Sequence, residues 1–215
     1  VLEQQSESVQ TFLLQTAILN RLCGPLCDAV CSVGTANSSK GTALTGQEDS
    51  QAILETLQRA NLFIVPLDEK RHWYRYHHLF AELLQQHLTI AYSNLIDDLH
   101  SKAVIWYEAN GIIPEAIHHA LARDDIITAG HLIEKGALEA LERSELGTVL
   151  NWVDLLPNTA LEGSPWLFIY HSWALLLSGQ FEAVSPRLEN TEWLLDLVPD
   201  DNETNEQEML GHIAG

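Results

Sequence analysis

Two adjacent imidazoles, His77 and His78, stand in the run Tyr76-His77-His78-Leu79, where a strand-like segment gives way to helical periodicity. An imidazole N–H beside the free amides of a helix N-terminus is a ready contact for an anion such as a phosphate. The same residue could equally do no more than cap its helix. His72 and His87 lie close in sequence, but no H-E-x-x-H spacing and no set of carboxylate partners accompanies them, which argues against a hydrolytic metal centre. His118 and His119, beside Glu115 on a polar helix face, read as surface residues.

Cys23, Cys27 and Cys31 lie four apart and would share one face of a continuous helix, but Gly24 and Pro25 interrupt it. No fourth ligand follows at finger-like spacing, so these read as small reduced core residues rather than a zinc site. Glu139, Glu142 and Glu145 repeat at helical spacing and read as a solvated acidic face. There is no G-x-S-x-G, no plausible Cys and His pairing and no Gly-rich dinucleotide loop after a strand. The chain is expected to hold no catalytic residue, no metal and no cofactor of its own.

The elements that must position His77 are a β-hairpin and the helix after it. Phe63 to Val65 and Trp73 to Tyr76 read as two strands joined by the charged connection Leu67 to His72, with Pro66 at the edge. Upstream, Ile53, Leu54, Leu57 and Ala60 give Ser50 to Ala60 helical spacing, and Phe12, Leu13, Thr16, Ala17 and Leu19 mark an earlier amphipathic helix. A helix followed by a two-stranded wing is the back half of a winged helix-turn-helix. The Gly-rich polar stretch from Ser32 to Gly46 reads as a flexible loop within this domain, placed at 1–92.

Charge decides what such a wing is for. The 215 residues carry 11 Lys+Arg against 30 Asp+Glu, a formal net charge of −19. Residues 1–92 hold 6 basic and 9 acidic side chains, whereas 93–215 hold 5 and 21. Nucleic-acid binding needs clustered cations that displace counterions, and the candidate recognition helix offers only Arg59 beside Glu48, Asp49 and Glu55. Direct nucleic-acid binding by this chain is therefore not expected. No run approaches the roughly 18 apolar residues of a membrane span, and the N-terminus VLEQQSESVQ lacks the features of a signal peptide. A cytoplasmic setting fits.

Beyond Tyr92 a weak repeat emerges, assigned to a second domain at 93–215. Gly111-x-Ile113-x-x-Ala116 recurs as Ser144-x-Leu146-x-x-Val149 and as Gly179-x-Phe181-x-x-Val184, at intervals of 33 and 35 residues. That brackets the roughly 34-residue period of tetratricopeptide repeats, in which a small residue ends one helix and an apolar residue plugs the turn. Leu99, Ala103, Trp106 and Tyr107, and then Trp166, Ile169, Tyr170, Trp173 and Leu177, supply apolar faces for stacking. Pro114, Pro165 and Pro186 suit first-turn positions. The expected architecture is mainly α: a winged helix followed by an α-solenoid with a concave groove. The acidic stretch 200–208 and the start of a further helix in MLGHIAG suggest that the solenoid continues past this chain.

The segments FLLQTAILNRLCGPLCDAV, ANLFIVPLDEKRHWYRYHHLFAELL, AVIWYEANGIIPEAIHHALARDD and WALLLSGQFEAV closely resemble the central part of MalT-like, ATP-dependent LuxR-family transcription activators of the STAND class. That resemblance implies an order of nucleotide-binding domain, winged helix, tetratricopeptide-like sensor and LuxR helix-turn-helix, of which this chain would hold the second element and the start of the third. It carries no G-x-x-x-x-G-K-S/T phosphate loop. In related STAND proteins a Met-His-Asp-like motif of the winged domain touches the β-phosphate of ADP. Tyr76-His77-His78-Leu79 looks like that motif, with His77 in the histidine place and departures at Tyr76 and His78. The resemblance implies ATP or ADP in the intact protein, the chain's own nucleotide-binding domain as intramolecular partner, and an inducer or regulatory protein at the repeats. The alternative is a free-standing tetratricopeptide scaffold.

Overall fold

Helix α1 (Glu7–Gln15) opens at Ser6, whose hydroxyl accepts the Val9 amide at 3.4 Å, the cap that serine favours. The computed structural model describes residues 5–32, 49–162 and 164–183, and the chain divides into two compact units, 1–123 and 124–215. In the first unit α1 tightens into a 3-10 turn (Thr16–Ile18), and α2 (Gly24–Cys31) and α3 (Ser50–Arg59) follow. Pro25 sits in the first turn of α2, where its missing N–H costs nothing. Gly24 and Pro25 thus start the helix rather than interrupt it, and Cys23 becomes its N-cap. Phe12, Leu13, Thr16, Ala17, Leu19, Ile53, Leu54 and Leu57 are buried, whereas Ala60, the C-cap of α3, is exposed.

The wing is an antiparallel pair of β1 (Ile64–Pro66) and β2 (Tyr74–Tyr76), in register Ile64↔Tyr76, Val65↔Arg75 and Pro66↔Tyr74. Both strands begin one residue later than the sequence suggests. Phe63 lies outside β1 because its φ is 55°, a left-handed conformation unusual for a bulky side chain. Leu22 supplies a third, single-residue rung that the sequence did not signal: its N–H and that of Tyr74 each donate to the other's carbonyl at 2.8 Å. Pro66, on the outer strand, leaves no ladder donor missing. In the connection, Asp68 accepts the amides of His72 at 3.0 Å and Trp73 at 2.9 Å. Those amides hold its carboxyl below the usual range.

Helix α4 (His78–Ala109) leaves helical geometry at Tyr92, with φ −142° and ψ 37°. A straight helix from His78 to Trp106 would run about 42 Å. Yet Trp106 packs edge-on against Trp73, just before β2, with ring centroids 6.4 Å apart. α4 therefore folds back towards its own start. No side chain from Thr89 to Asp98 is buried, while Leu84 and Leu88 before the bend and Leu99, Ala103 and Tyr107 after it are. α5 (Ile113–Ala122), with Pro114 in its first turn, completes the unit.

The second unit contains α6 (Ile126–Glu142), α7 (Leu146–Asp154), α8 (Asn158–Glu162) and α9 (Pro165–Leu177). Its core joins small and large side chains: Ala137, Ala140, Leu141, Val149 and Ala174, flanked by Leu146, Leu150, Trp152, Tyr170 and Trp173. Alanines at the crossing let helices approach closely while the aromatics fill the flanks. Ile169 is buried, but Leu177, assigned to the same stacking face by spacing, is 65% exposed. Glu139, Glu142 and Glu145 are exposed, although Glu145 caps α7 and is not part of α6. Val184, Pro186, most of the loop 32–46, the acidic stretch 200–208 and the MLGHIAG segment lie outside the described residues.

The repeat is written in the backbone. Gly111, Ser144 and Gly179 all take left-handed φ values, of 71°, 60° and 80°. After each, the next amide reaches five residues back: Ile112 to Tyr107 at 2.9 Å, Glu145 to Ala140 at 2.8 Å, and Gln180 to Leu175 at 2.9 Å. These are the closing bonds of a Schellman stop. Ser144 does the work of a glycine at a backbone cost of about 1 kcal/mol. Replacing Ser144 by Gly is expected to stabilise the protein by about 1 kcal/mol, and Gly111→Ala to destabilise it by a similar amount. A Cβ at Gly111 would meet no atom within 4 Å, so chemical denaturation of that variant reads the backbone term alone.

Candidate functional site

The wing aims His77 outwards by simple alternation. Along β2 and just past it, Tyr74 and Tyr76 are buried while Arg75 and His77 are exposed, because successive side chains of an extended strand point to opposite faces. Tyr76 is locked inward by a 2.7 Å hydrogen bond between its hydroxyl and that of Thr16. Burial pushes its phenol pKa far up. The position that departs from the motif at Tyr76 is thus a core position.

His77 is the N-cap of α4 with extended backbone (φ −62°, ψ 136°), and its imidazole makes no capping hydrogen bond. The capping is done by the main chain: the His77 carbonyl accepts the Phe80 amide at 2.9 Å and the Ala81 amide at 3.0 Å. The His77 N–H donates to the Phe63 carbonyl at 2.7 Å. Phe63 holds that carbonyl in place by its left-handed backbone, and its ring stacks on Phe80 at 5.3 Å. His78 is exposed, its ring 4.5 Å from that of His77. The first-turn amides of α4, those of His78 and Leu79, have no helical acceptor. A side chain with a spare imidazole, a neighbouring guanidinium at Arg75 and a helix N-terminus together form a surface suited to an anion. Sequence reasoning passed over Arg75, although the alternation Tyr-Arg-Tyr-His carried the signal.

Sequence reasoning also misplaced His119. It is 1% exposed, and its Nδ1 lies 2.7 Å from Nδ1 of His100, itself buried at 9%. The His119 ring stacks on Tyr107 at 5.4 Å with 14° between planes. One Nδ1 must donate and the other accept, so the accepting ring is neutral with its proton on Nε2. Burial, then the neighbouring imidazole, pushes His119 down to about 3, and burial lowers His100. His118 is exposed, as its polar face suggests.

The cysteines are free, with Cys23 and Cys27 buried and Cys31 half-buried. Burial raises all three thiols, Cys31 to about 12, which makes them inert apolar side chains. Among the described residues no cluster of three or more His, Cys, Asp or Glu could hold a metal ion, and no helix is long and apolar enough to cross a membrane. On α3, the helix that would read DNA, Arg59 is tied to Glu55 at 3.1 Å, which leaves little cationic character to meet phosphates.

Residues 1–95 match the family model of the MalT winged helix domain. Over 177 residues, 82% of this chain, the sequence is 29% identical to the serine/threonine-protein kinase PknK of Mycobacterium tuberculosis, of which the match covers 15%. Over 192 residues, 89% of this chain, it is 29% identical to the HTH-type transcriptional regulators MalT of Yersinia pestis and Yersinia pseudotuberculosis, covering 20% of each. The chain thus spans 15–20% of the length of these curated relatives. The first 95 residues thus match the MalT winged helix domain, and the similarity to MalT regulators and to PknK extends across both units.

Proposed function

We propose that this chain is the relay and sensor portion of a signal-responsive transcription regulator. The winged unit reports the nucleotide state of an adjoining nucleotide-binding domain through His77, and the helical repeats receive an inducer or a regulatory protein. It takes no catalytic part itself. The observation that carries the relay is the His77 imidazole: exposed, uncommitted to any cap and set at the N-terminus of α4. Arg75 on the same side of β2 supports it, since a diphosphate offers charge for both. Alignment with MalT regulators over 192 residues, both units together, favours a regulator over a free-standing scaffold.

The test is His77→Ala in the intact protein, reading ADP affinity and basal transcription. ADP is expected to bind about tenfold more weakly, the lower end for a hydrogen bond to a charged group. Basal transcription should rise as the ADP-bound state is lost. Unchanged affinity together with unchanged basal activity would count against the relay.

A further inference from the structure

The second unit holds a cavity of about 330 Å³ between α6 and the α8–α9 segment. At roughly 30 Å³ per water, it has room for a small organic molecule. Its apolar walls are Ile126, Ile127 and Leu167, and its polar groups are His131, Glu134, Thr159 and Ser164. Gly130, buried in the second turn of α6, leaves the space open. A Cβ there would stand at an ordinary 3.5 Å from Leu167 Cδ1.

The electrostatics of the cavity are set by one group. The Glu134 side chain is 26% exposed. Ser164, the N-cap of α9, accepts the Leu167 amide at 3.1 Å and donates its own hydroxyl to Glu134 Oε1. That relay fixes the carboxylate from one side. Oε2 faces Nδ1 of His131 at 3.5 Å, on a ring 75% exposed. No Lys or Arg is among the described residues that line it, so with His131 neutral they carry a net negative charge beside an apolar wall. A partly buried carboxylate held by a neutral donor favours a cationic ligand over a neutral or anionic one of the same shape.

We propose that this cavity binds a small primary amine with an apolar body, its ammonium on Glu134 Oε2 and its body over Ile126, Ile127 and Leu167. This rests on the reading of the repeats as a sensor and names the ligand class. The test is calorimetric titration of the 215-residue chain at pH 7.5 with phenethylamine, 2-phenylethanol and 3-phenylpropanoate, in wild type, Glu134→Gln and Gly130→Leu. Saturable binding of the amine, about tenfold weaker in Glu134→Gln and abolished in Gly130→Leu, with neither analogue binding, is the expected result. Equal binding of the alcohol, or amine binding unaffected by Glu134→Gln, overturns it. So does absence of amine binding at 10 mM, a concentration of about a hundredfold excess over a 0.1 mM Kd. A parallel melting-temperature screen with other metabolites separates the two claims. Where the amine fails these criteria, metabolites that stabilise wild type and Gly130→Leu alike keep the sensor reading while the amine site alone is overturned.

Discussion

Acidification from pH 7 to pH 5 is expected to remove about 2 kcal/mol of folding stability through His119 alone. An unfolded histidine takes up its proton near 6.5, but the buried ring of His119 resists it down to about 3. As pH falls through the intervening window the unfolded chain binds a proton that the folded chain refuses. The stability contributed by the neutral ring is therefore complete above about 6.5 and is lost progressively below it. His100, lowered by burial as well, acts in the same direction. The charged groups nearby do not reverse this: Asp97 is engaged by Arg123 at 2.9 Å, and the influence of His118 on His119 is in the same, lowering direction.

Urea titrations at pH 7 and pH 5 provide the measurement. His119→Leu removes the titration but leaves the His100 Nδ1 without its partner, at a cost of about 1–3 kcal/mol at pH 7. The double variant His100→Leu, His119→Leu should recover much of that loss and show a flatter pH dependence, because both halves of the polar pair are gone. A double variant with the same acid sensitivity as wild type would remove the imidazole pair from the explanation.

Gly24→Val is expected to destabilise the winged unit by about 3 kcal/mol, the upper part of the range for overpacking. At the start of α2 a Cβ on residue 24 would stand 2.9 Å from Gln51 Cβ and 3.3 Å from the Gln51 backbone nitrogen. Neither atom belongs to the free end of a side chain, so relief requires α2 and α3 to move apart. Gln51 also ties α3 to the wing, donating from Nε2 to the Arg71 carbonyl at 3.2 Å. The displacement would therefore reach the hairpin that carries His77. Thermal unfolding of the variant, with Gly147→Ala as a control whose Cβ meets nothing within 4 Å, checks the size of the effect.

What the sequence made legible follows from periodicity. The strand-like runs Phe63 to Val65 and Trp73 to Tyr76 with the charged connection Leu67 to His72 sufficed for the wing, and the small residue two places before an apolar one sufficed for the helix stops. Ser144 in place of glycine did not break the pattern, since the closing amide from Glu145 still reaches Ala140. The buried imidazoles were missed because histidine was read by polarity and not by place. His100 stands at i of the stripe Ala103, Val104 and Tyr107, the spacing of a buried face, so the signal for one partner existed. That it would meet His119 is a tertiary fact. The reversal of α4 left no mark either: Ile-Ala-Tyr-Ser-Asn contains neither proline nor glycine.

That reversal sets what the polypeptide is free to change. From Thr89 to Asp98 nothing is inserted into a core, while Leu88 and Leu99 on either side are anchored in one and the same unit. Lys102 adds a clasp from its ammonium to the Ser32 carbonyl at 2.7 Å. The two arms are thus pinned by what they rest on, and the elbow between them acts as a tether whose length and composition can drift without disturbing either.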